Sequence, residues 1–222
     1  MALLSRRFLA RRPRHQIVIV GGNFAGISAA RAIAPEAATV TVIDSGPQAQ
    51  WLPNVHELLS RHKQAEQLRT DRRSLFNALG HEFLCAEVAG VDRLQQRVIT
   101  SHGEWRDYDA LILATGSISQ DFGVPGAATH ALHPRSVDSA ARAGHALNRL
   151  AALPGGRDVV VVGGGIEGLE MLGEILRAHG GGRRFNLHLV EQSPALLPRF
   201  PGLHQRLQQQ MRGEVELHCG QR

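Results

Sequence analysis

The pattern that most narrows the folds open to this chain is a short β-branched run that ends in glycines, and it occurs twice. Gln16-Ile17-Val18-Ile19-Val20 stops at Gly21-Gly22; an alanine-rich stretch with Phe24, Ile27 and Ile33 follows and is stopped by Pro35. Thr39 to Ile43 is then a second β-branched run, closed by Asp44. The same order returns as Asp158 to Val162, Gly163-Gly164-Gly165, an apolar-periodic stretch from Ile166 to His179, and Phe185 to Val190 ending at Glu191. A buried strand, a tight glycine turn, an amphipathic helix and a parallel strand make a βαβ unit. Two such units predict the α/β class with two Rossmann-like dinucleotide-binding domains.

Between the units, the spacing predicts helices over Asn54–Arg61 and Arg72–Leu79. A small meander is expected from Glu82–Cys85, Glu87–Val91 and Arg97–Thr100, and a buried strand over Asp109–Ala114. Gly123-Val124-Pro125-Gly126 reads as a domain junction, and Ser136 as the cap of a helix reaching Leu150. The expected domains are therefore a basic tail over 1–15, a first nucleotide domain over 16–122 and a second over 123–222. A last helix is expected over Pro201–Met211 and a last strand over Val215–His218.

The glycine turns carry the chemistry. In a G-x-G-x-x-G turn the backbone bends sharply, leaves room for a pyrophosphate, and aims helix N–H groups at its charge. Gly163, Gly165 and Gly168 have that spacing, with Gly164, Ile166 and Glu167 filling the turn. Glu191 stands where a carboxylate accepts ribose hydroxyls and repels a 2′-phosphate, so NADH is expected over NADPH. In the first unit Gly21 and Gly26 are in place, with Gly22, Phe24 and Ala25 between them and Asp44 as the ribose carboxylate. Asn23 replaces the middle glycine; it tolerates the left-handed backbone better than most residues, so binding is expected with some loss of affinity.

Composition bounds the alternatives. The chain has 222 residues and 25 Lys and Arg against 20 Asp and Glu, and five of those arginines (Arg6, Arg7, Arg11, Arg12, Arg14) fall in the first 15 positions. The rest is balanced, which argues against a nucleic-acid partner. Ser5-Arg6-Arg7-Phe8-Leu9 has the look of an export signal, but Arg11, Arg12, Pro13 and Arg14 break the apolar run such a signal needs, leaving a solvated or membrane-surface tail as the expectation. Cys85 and Cys219 suit a reducing, cytoplasmic compartment, with Cys85 expected in the core, and linear spacing of the histidines suggests no metal site.

On Ile17–Ile33 with Asp44, Leu111–Ser117 including Ala114, Thr115 and Gly116, and Val159–Leu176 with Glu191, the chain resembles the pyridine nucleotide-disulphide oxidoreductase superfamily. Within it, the chain most resembles the type II NADH:quinone oxidoreductase and apoptosis-inducing-factor-like branch. The resemblance extends through Gly123–Gly126 and Arg135-Ser136-Val137. It implies FAD in the first domain, NAD in the second nested within it, and hydride passing from NADH through flavin to a quinone or similar small-molecule acceptor. Residues 51–60 hold no cysteine where disulfide reductases carry a redox pair, so that chemistry is not expected. There the resemblance makes His56 and Glu57 candidates for tuning the flavin or bonding a quinone carbonyl, against a solvated helix face. Glu170 is a candidate to hold the carboxamide, against an ordinary surface Glu.

The family pattern also returns to complete the FAD domain and adds a C-terminal domain for dimer or membrane contact. Neither is found after Glu191, so the chain is expected to be a fragment or a truncated product. An NADH dehydrogenase module and a non-catalytic nucleotide-binding remnant both stay open. So do the oligomeric state and a peripheral position at the inner face of the cell membrane.

Overall fold

The structure, a computed structural model, describes residues 14–155, 157–179, 184–200 and 202–221. The basic tail through Pro13 lies outside the described residues. The chain divides into two compact units: the described residues up to Ala49 with Thr70–Ser117, and Gln50–Arg69 with Ile118 onward.

In the first unit β1 (His15–Val20) leads into α1 (Phe24–Arg31) and β2 (Ala38–Asp44). The short β3 (Gln48–Gln50) and β4 (Arg69–Asp71) mark where the chain leaves this unit and returns, before α2 (Arg72–Ala78), β5 (Glu82–Cys85), β6 (Val88–Asp92), β7 (Arg97–Thr100), β8 (Trp105–Asp107) and β9 (Ala110–Leu113). Four strands form a parallel sheet in the order β5-β2-β1-β9, and β6-β7-β8 form an antiparallel meander. The β-branched strands are apolar on both sides because both sheet faces are covered. Ile19, Val40 and Val42 pack with Ala30 of α1 and Phe76 of α2, while Val18, Val20 and Ile43 pack with Val98 of the meander.

In the second unit α3 (Ala127–His130) and α4 (Val137–Ala151) precede β10 (Arg157–Val162), α5 (Ile166–His179), β11 (Phe185–Glu191), α6 (Leu203–Gln210) and β12 (Val215–Cys219). The strands form a parallel sheet in the order β10-β11-β12. Phe185, Leu187 and Leu189 face Leu172 and Ile175 of α5, and this core extends to Val137, Ala140 and Ala143 of α4. Ser136 caps α4 as expected, its hydroxyl accepting from Ser139 N–H at 3.1 Å. The four-valine run differs from β1: only Val159 and Val161 join the core, while Val160 and Val162 are 54% and 65% exposed. An identical side-chain type therefore serves a two-faced strand in one unit and a one-faced strand in the other.

Four local expectations change. Glu82–Cys85, expected in the meander, is the parallel edge strand β5 beside β2, and Trp105–Asp107 is the meander's third strand. Residues Leu52–Leu58 form a 3-10 helix rather than an α-helix. Pro53 enters its first turn, the bonds close over three residues (Leu59 N–H to His56 O, Arg61 N–H to Leu58 O), and Arg61 ends it at φ 60°. Its Val55, Leu58 and Leu59 belong to the second unit's core, so residues 50–69, which fall inside the first domain by sequence position, group with the second unit. Cys85 is exposed, not core, because it ends the edge strand β5. Among the described residues no helix is long and apolar enough to cross a membrane.

Candidate functional site

Each glycine turn leaves its strand through a left-handed residue, Gly21 at φ 103° and Gly163 at φ 102°. Each first glycine donates its N–H to the end of the neighbouring strand, Gly21 to Ile43 O and Gly163 to Val190 O, both at 2.8 Å. The last glycine of each turn is held by closeness. A Cβ on Gly26 would lie 1.8 Å from Gly21 O, and one on Gly168 would lie 1.9 Å from Gly163 O. The helices α1 and α5 thus start hard against the strands that feed them, and their first N–H groups have no partner within the helix.

In the first unit the turn is crossed by the end of β9: a Cβ on Gly21 would meet Ala114 O at 2.2 Å, with Thr115 N at 3.1 Å. Gly21 of the turn and Ala114–Thr115, which only the family resemblance linked, therefore lie together; Gly116 follows at φ 77°. Asn23 caps α1 at φ −112°, an extended conformation, so its tolerance of the left-handed region is not what admits it. Asp44 accepts from Gly22 N–H at 2.8 Å through Oδ2 and from Gly46 N–H at 3.0 Å through Oδ1. Arg72, which sequence reasoning missed, pairs with Asp44 Oδ1 at 2.9 Å and donates to Gly22 O at 2.8 Å and Gly46 O at 2.6 Å. Burial pushes its guanidinium pKa down and Asp44 pulls it back. No spacing rule announces Arg72, since its partners lie 26 to 50 positions away.

In the second unit Glu191 repeats the part of Asp44. It accepts from Gly164 N–H at 2.6 Å and from Ser193 N–H at 2.7 Å. Burial raises its carboxyl pKa, but the donations from Ser193 and Gly164 outweigh that and leave it below the ordinary value of 4.5. The carboxylate is an anion at neutral pH. At Gly164 a Cβ would crowd the Leu196 side-chain end at 2.4 Å and Glu191 Oε2 at 3.1 Å. Gly165 is different: its φ is not left-handed and a Cβ would meet nothing within 4 Å. Nothing among the described residues requires glycine at 165, a property it shares with Gly90 and Gly173, but of these three only Gly165 lies in a strand-to-helix turn. Ile166, the next residue, is 57% exposed, as its counterpart Phe24 is at 40%.

The remaining candidates separate. His56 Nδ1 lies 3.5 Å from Glu170 Oε2, the histidine largely buried and the glutamate open. Glu57 points elsewhere, pairing with Lys63 at 3.2 Å and accepting from Asn54. Burial raises the Glu57 pKa, but Asn54 and Lys63 more than offset it and the net shift is downward. One helical face of α5 receives the 3-10 segment: Glu170 meets His56, Glu174 accepts from Ser60, and Arg177 donates to Ser60 at 2.8 Å. Gly144 of α4 lets the same segment approach, since a Cβ there would meet Leu58 O at 2.4 Å.

Compared with known proteins, residues 15–222 match the family described as pyridine nucleotide-disulphide oxidoreductase. A type II NADH:quinone oxidoreductase of Staphylococcus haemolyticus is 26% identical over 84% of this chain and 51% of its own length, and that of Staphylococcus aureus is 27% identical over the same shares. Among solved structures, NDH2 from Plasmodium falciparum in complex with NADH superposes with a TM-score of 0.80 at 19% identity, covering 93% of this chain and 48% of its own. The sulfide:quinone oxidoreductase of Aquifex aeolicus gives 0.77 at 21% identity, covering 93% and 51%. The chain spans about half the length of the curated relatives it matches.

Proposed function

The chain belongs to the pyridine nucleotide-disulphide oxidoreductase family, and from that premise we propose that its first unit holds FAD, its second holds NADH, and the protein serves an NADH oxidoreductase whose electrons go to a quinone or similar acceptor. The observation that carries this reading is Gly165, a glycine that backbone and packing leave unexplained but that a pyrophosphate over the start of α5 would need.

The residues fit the two nucleotides unequally. Gly163–Gly168 would take the NADH pyrophosphate, and Glu191 the ribose hydroxyls, its negative charge disfavouring a 2′-phosphate. Glu170, whose Oε2 lies 3.5 Å from His56 Nδ1, is the residue we assign to the nicotinamide carboxamide. In the first unit Gly21–Gly26, Asp44 and Ala114–Gly116 would take FAD, with Arg72 keeping the Asp44 carboxylate in place. Flavin, when bound there, would supply the two-electron acceptor. In this reading a quinone-bearing membrane is met at its surface, through the arginines of the first 15 residues.

Adding NADH anaerobically to the purified chain tests the proposal. Flavin absorbance bands that bleach are expected; a protein without flavin bands, or with bands that persist, removes the redox reading. A second reading, nucleotide binding without turnover, is favoured by Asn23 at the position of closest approach. Equilibrium dialysis separates the two, since FAD held at micromolar or tighter affinity counts against a remnant.

A further inference from the structure

Among the described residues, the face of the second unit's sheet that exposes Val160 and Val162 carries a cluster that the nucleotide reading does not use. The parallel register sets His188 of β11 opposite Glu216 of β12 and Val190 opposite His218, so two imidazoles and a carboxylate share one face. His188 Nδ1 is 3.3 Å from His218 Nε2. Glu216 reaches across both nitrogens, with Oε2 at 3.4 Å from His188 Nδ1 and Oε1 at 3.5 Å from His218 Nε2. One donor atom from each residue can be chosen so that all three lie within 4.8 Å of one another.

We propose that His188, Glu216 and His218 form a binding site for a single zinc-class divalent ion. Tetrahedral ligands about 2.0–2.1 Å from zinc stand roughly 3.3–3.4 Å apart, which is the separation of the two ring nitrogens. The Glu216 side chain is 65% exposed and free to turn one oxygen onto the same point. Two imidazoles and one carboxylate are a donor set suited to zinc rather than to calcium or magnesium, which take oxygen ligands.

A second, independent feature supports the assignment. The far nitrogen of His188, Nε2, lies 3.5 Å from Asp158 Oδ1. Asn186 donates to that same oxygen at 3.0 Å and holds it there. A carboxylate behind a histidine fixes which ring nitrogen carries the proton and turns the other toward the metal. The three ligands leave a fourth position, facing a shallow open depression of about 500 Å3 lined by Val160, Val190 and Gln221 besides Asp158 and the histidines. A water or small anionic ligand would complete the coordination. The ion would also tie β12, the edge strand, to β11.

The linear spacing of the histidines hides this cluster, because its donors come from two strands. The usable signal was Glu216-x-His218, two donors on one face of a strand, and its partner came from the neighbouring strand.

The test titrates the full chain with Zn2+ against a chelating indicator and with Co2+ followed by visible absorption. One equivalent of Zn2+ should bind, Co2+ should give the intense bands of a four-coordinate site, and thermal stability should rise with Zn2+. Glu216→Gln, at an exposed side chain, should weaken Zn2+ at least tenfold, and the double variant His188→Gln, His218→Gln should abolish the site. Asp158→Asn should weaken binding about ten- to a hundredfold without removing it. Zinc affinity unchanged in Glu216→Gln, or weak six-coordinate cobalt spectra in the parent, would overturn the proposal.

Discussion

At the residue scale the two turns are near copies that differ at the residue just before the following helix. Gly165 has room for a side chain and Asn23 already carries one, both at the N-cap of the following helix. Because Asn is a better cap than most residues, Gly165→Asn should leave the melting temperature essentially unchanged while weakening NADH roughly tenfold or more. The reverse exchange, Asn23→Gly, should tighten FAD. Calorimetric titration alongside thermal unfolding measures both, and a Gly165→Asn protein that binds NADH like the parent would show that the glycine has another purpose. Glu191 gives a sharper test. Its anion is fixed by two backbone donors, and Glu191→Arg removes the repulsion of a 2′-phosphate while adding a guanidinium to pair with it. The ratio of NADPH to NADH affinity should rise about tenfold or more by fluorescence titration, although the lost tie to Gly164 will lower both affinities.

At the scale of elements, α5 organises the second unit from both ends. Its polar face receives the 3-10 segment, whose close approach to α4 depends on Gly144. Gly144→Ala should cost about 1–3 kcal/mol, read from denaturant unfolding, because the methyl would meet the Leu58 backbone, which cannot easily give. At its C-terminus His179 is 6% exposed, edge-on to Phe185, and neither ring nitrogen has a hydrogen-bond partner among the described residues. Burial, and then Arg184, depress its pKa below the ordinary 6.5. The unfolded chain therefore takes up this proton first, so stability is full above pH 6.5 and declines as pH falls from there toward the lowered folded value. His179→Leu should flatten that part of the stability profile; a profile with no slope just below 6.5 in the parent would contradict the burial argument.

Across the whole molecule, the two units are built alike but finished differently. The first covers both faces of its sheet, with helices on one side and a meander on the other; the second covers one face and leaves Val160 and Val162 exposed among the described residues. Charge is just as uneven. Removing residues 1–13 would take away Arg6, Arg7, Arg11 and Arg12, most of the formal charge of +5, while keeping Arg14, whose guanidinium donates to Pro35 O at 3.0 Å. Each arginine near an anionic bilayer contributes about 1 kcal/mol, so the shortened chain should bind anionic vesicles roughly a hundredfold less tightly or worse, with NADH affinity unchanged. Sedimentation with vesicles at two salt concentrations reads this out, and equal binding by both chains would place membrane contact elsewhere.

What could be read from the sequence alone was whatever local spacing dictates. The two βαβ units, the glycine turns at Gly21–Gly26 and Gly163–Gly168, and the carboxylates Asp44 and Glu191 at the strand ends all follow from strand, turn and helix spacing within about thirty residues; which glycines are left-handed and which are crowded came from the structure. Contacts across long stretches of chain had no such signature. Packing alone decided that Arg72 would lock Asp44, that residues 50–69 would join the second unit through Leu58, Leu59 and the Ser60–Glu174 bond, and that His56 would meet Glu170 while Glu57 turned to Lys63. The His188, Glu216 and His218 cluster depended on the register of two strands, because a shift of one residue would send the β12 donors to the opposite face. A sequence carries its turns and caps position by position, but which distant side chains converge depends on how the finished elements bury their apolar faces.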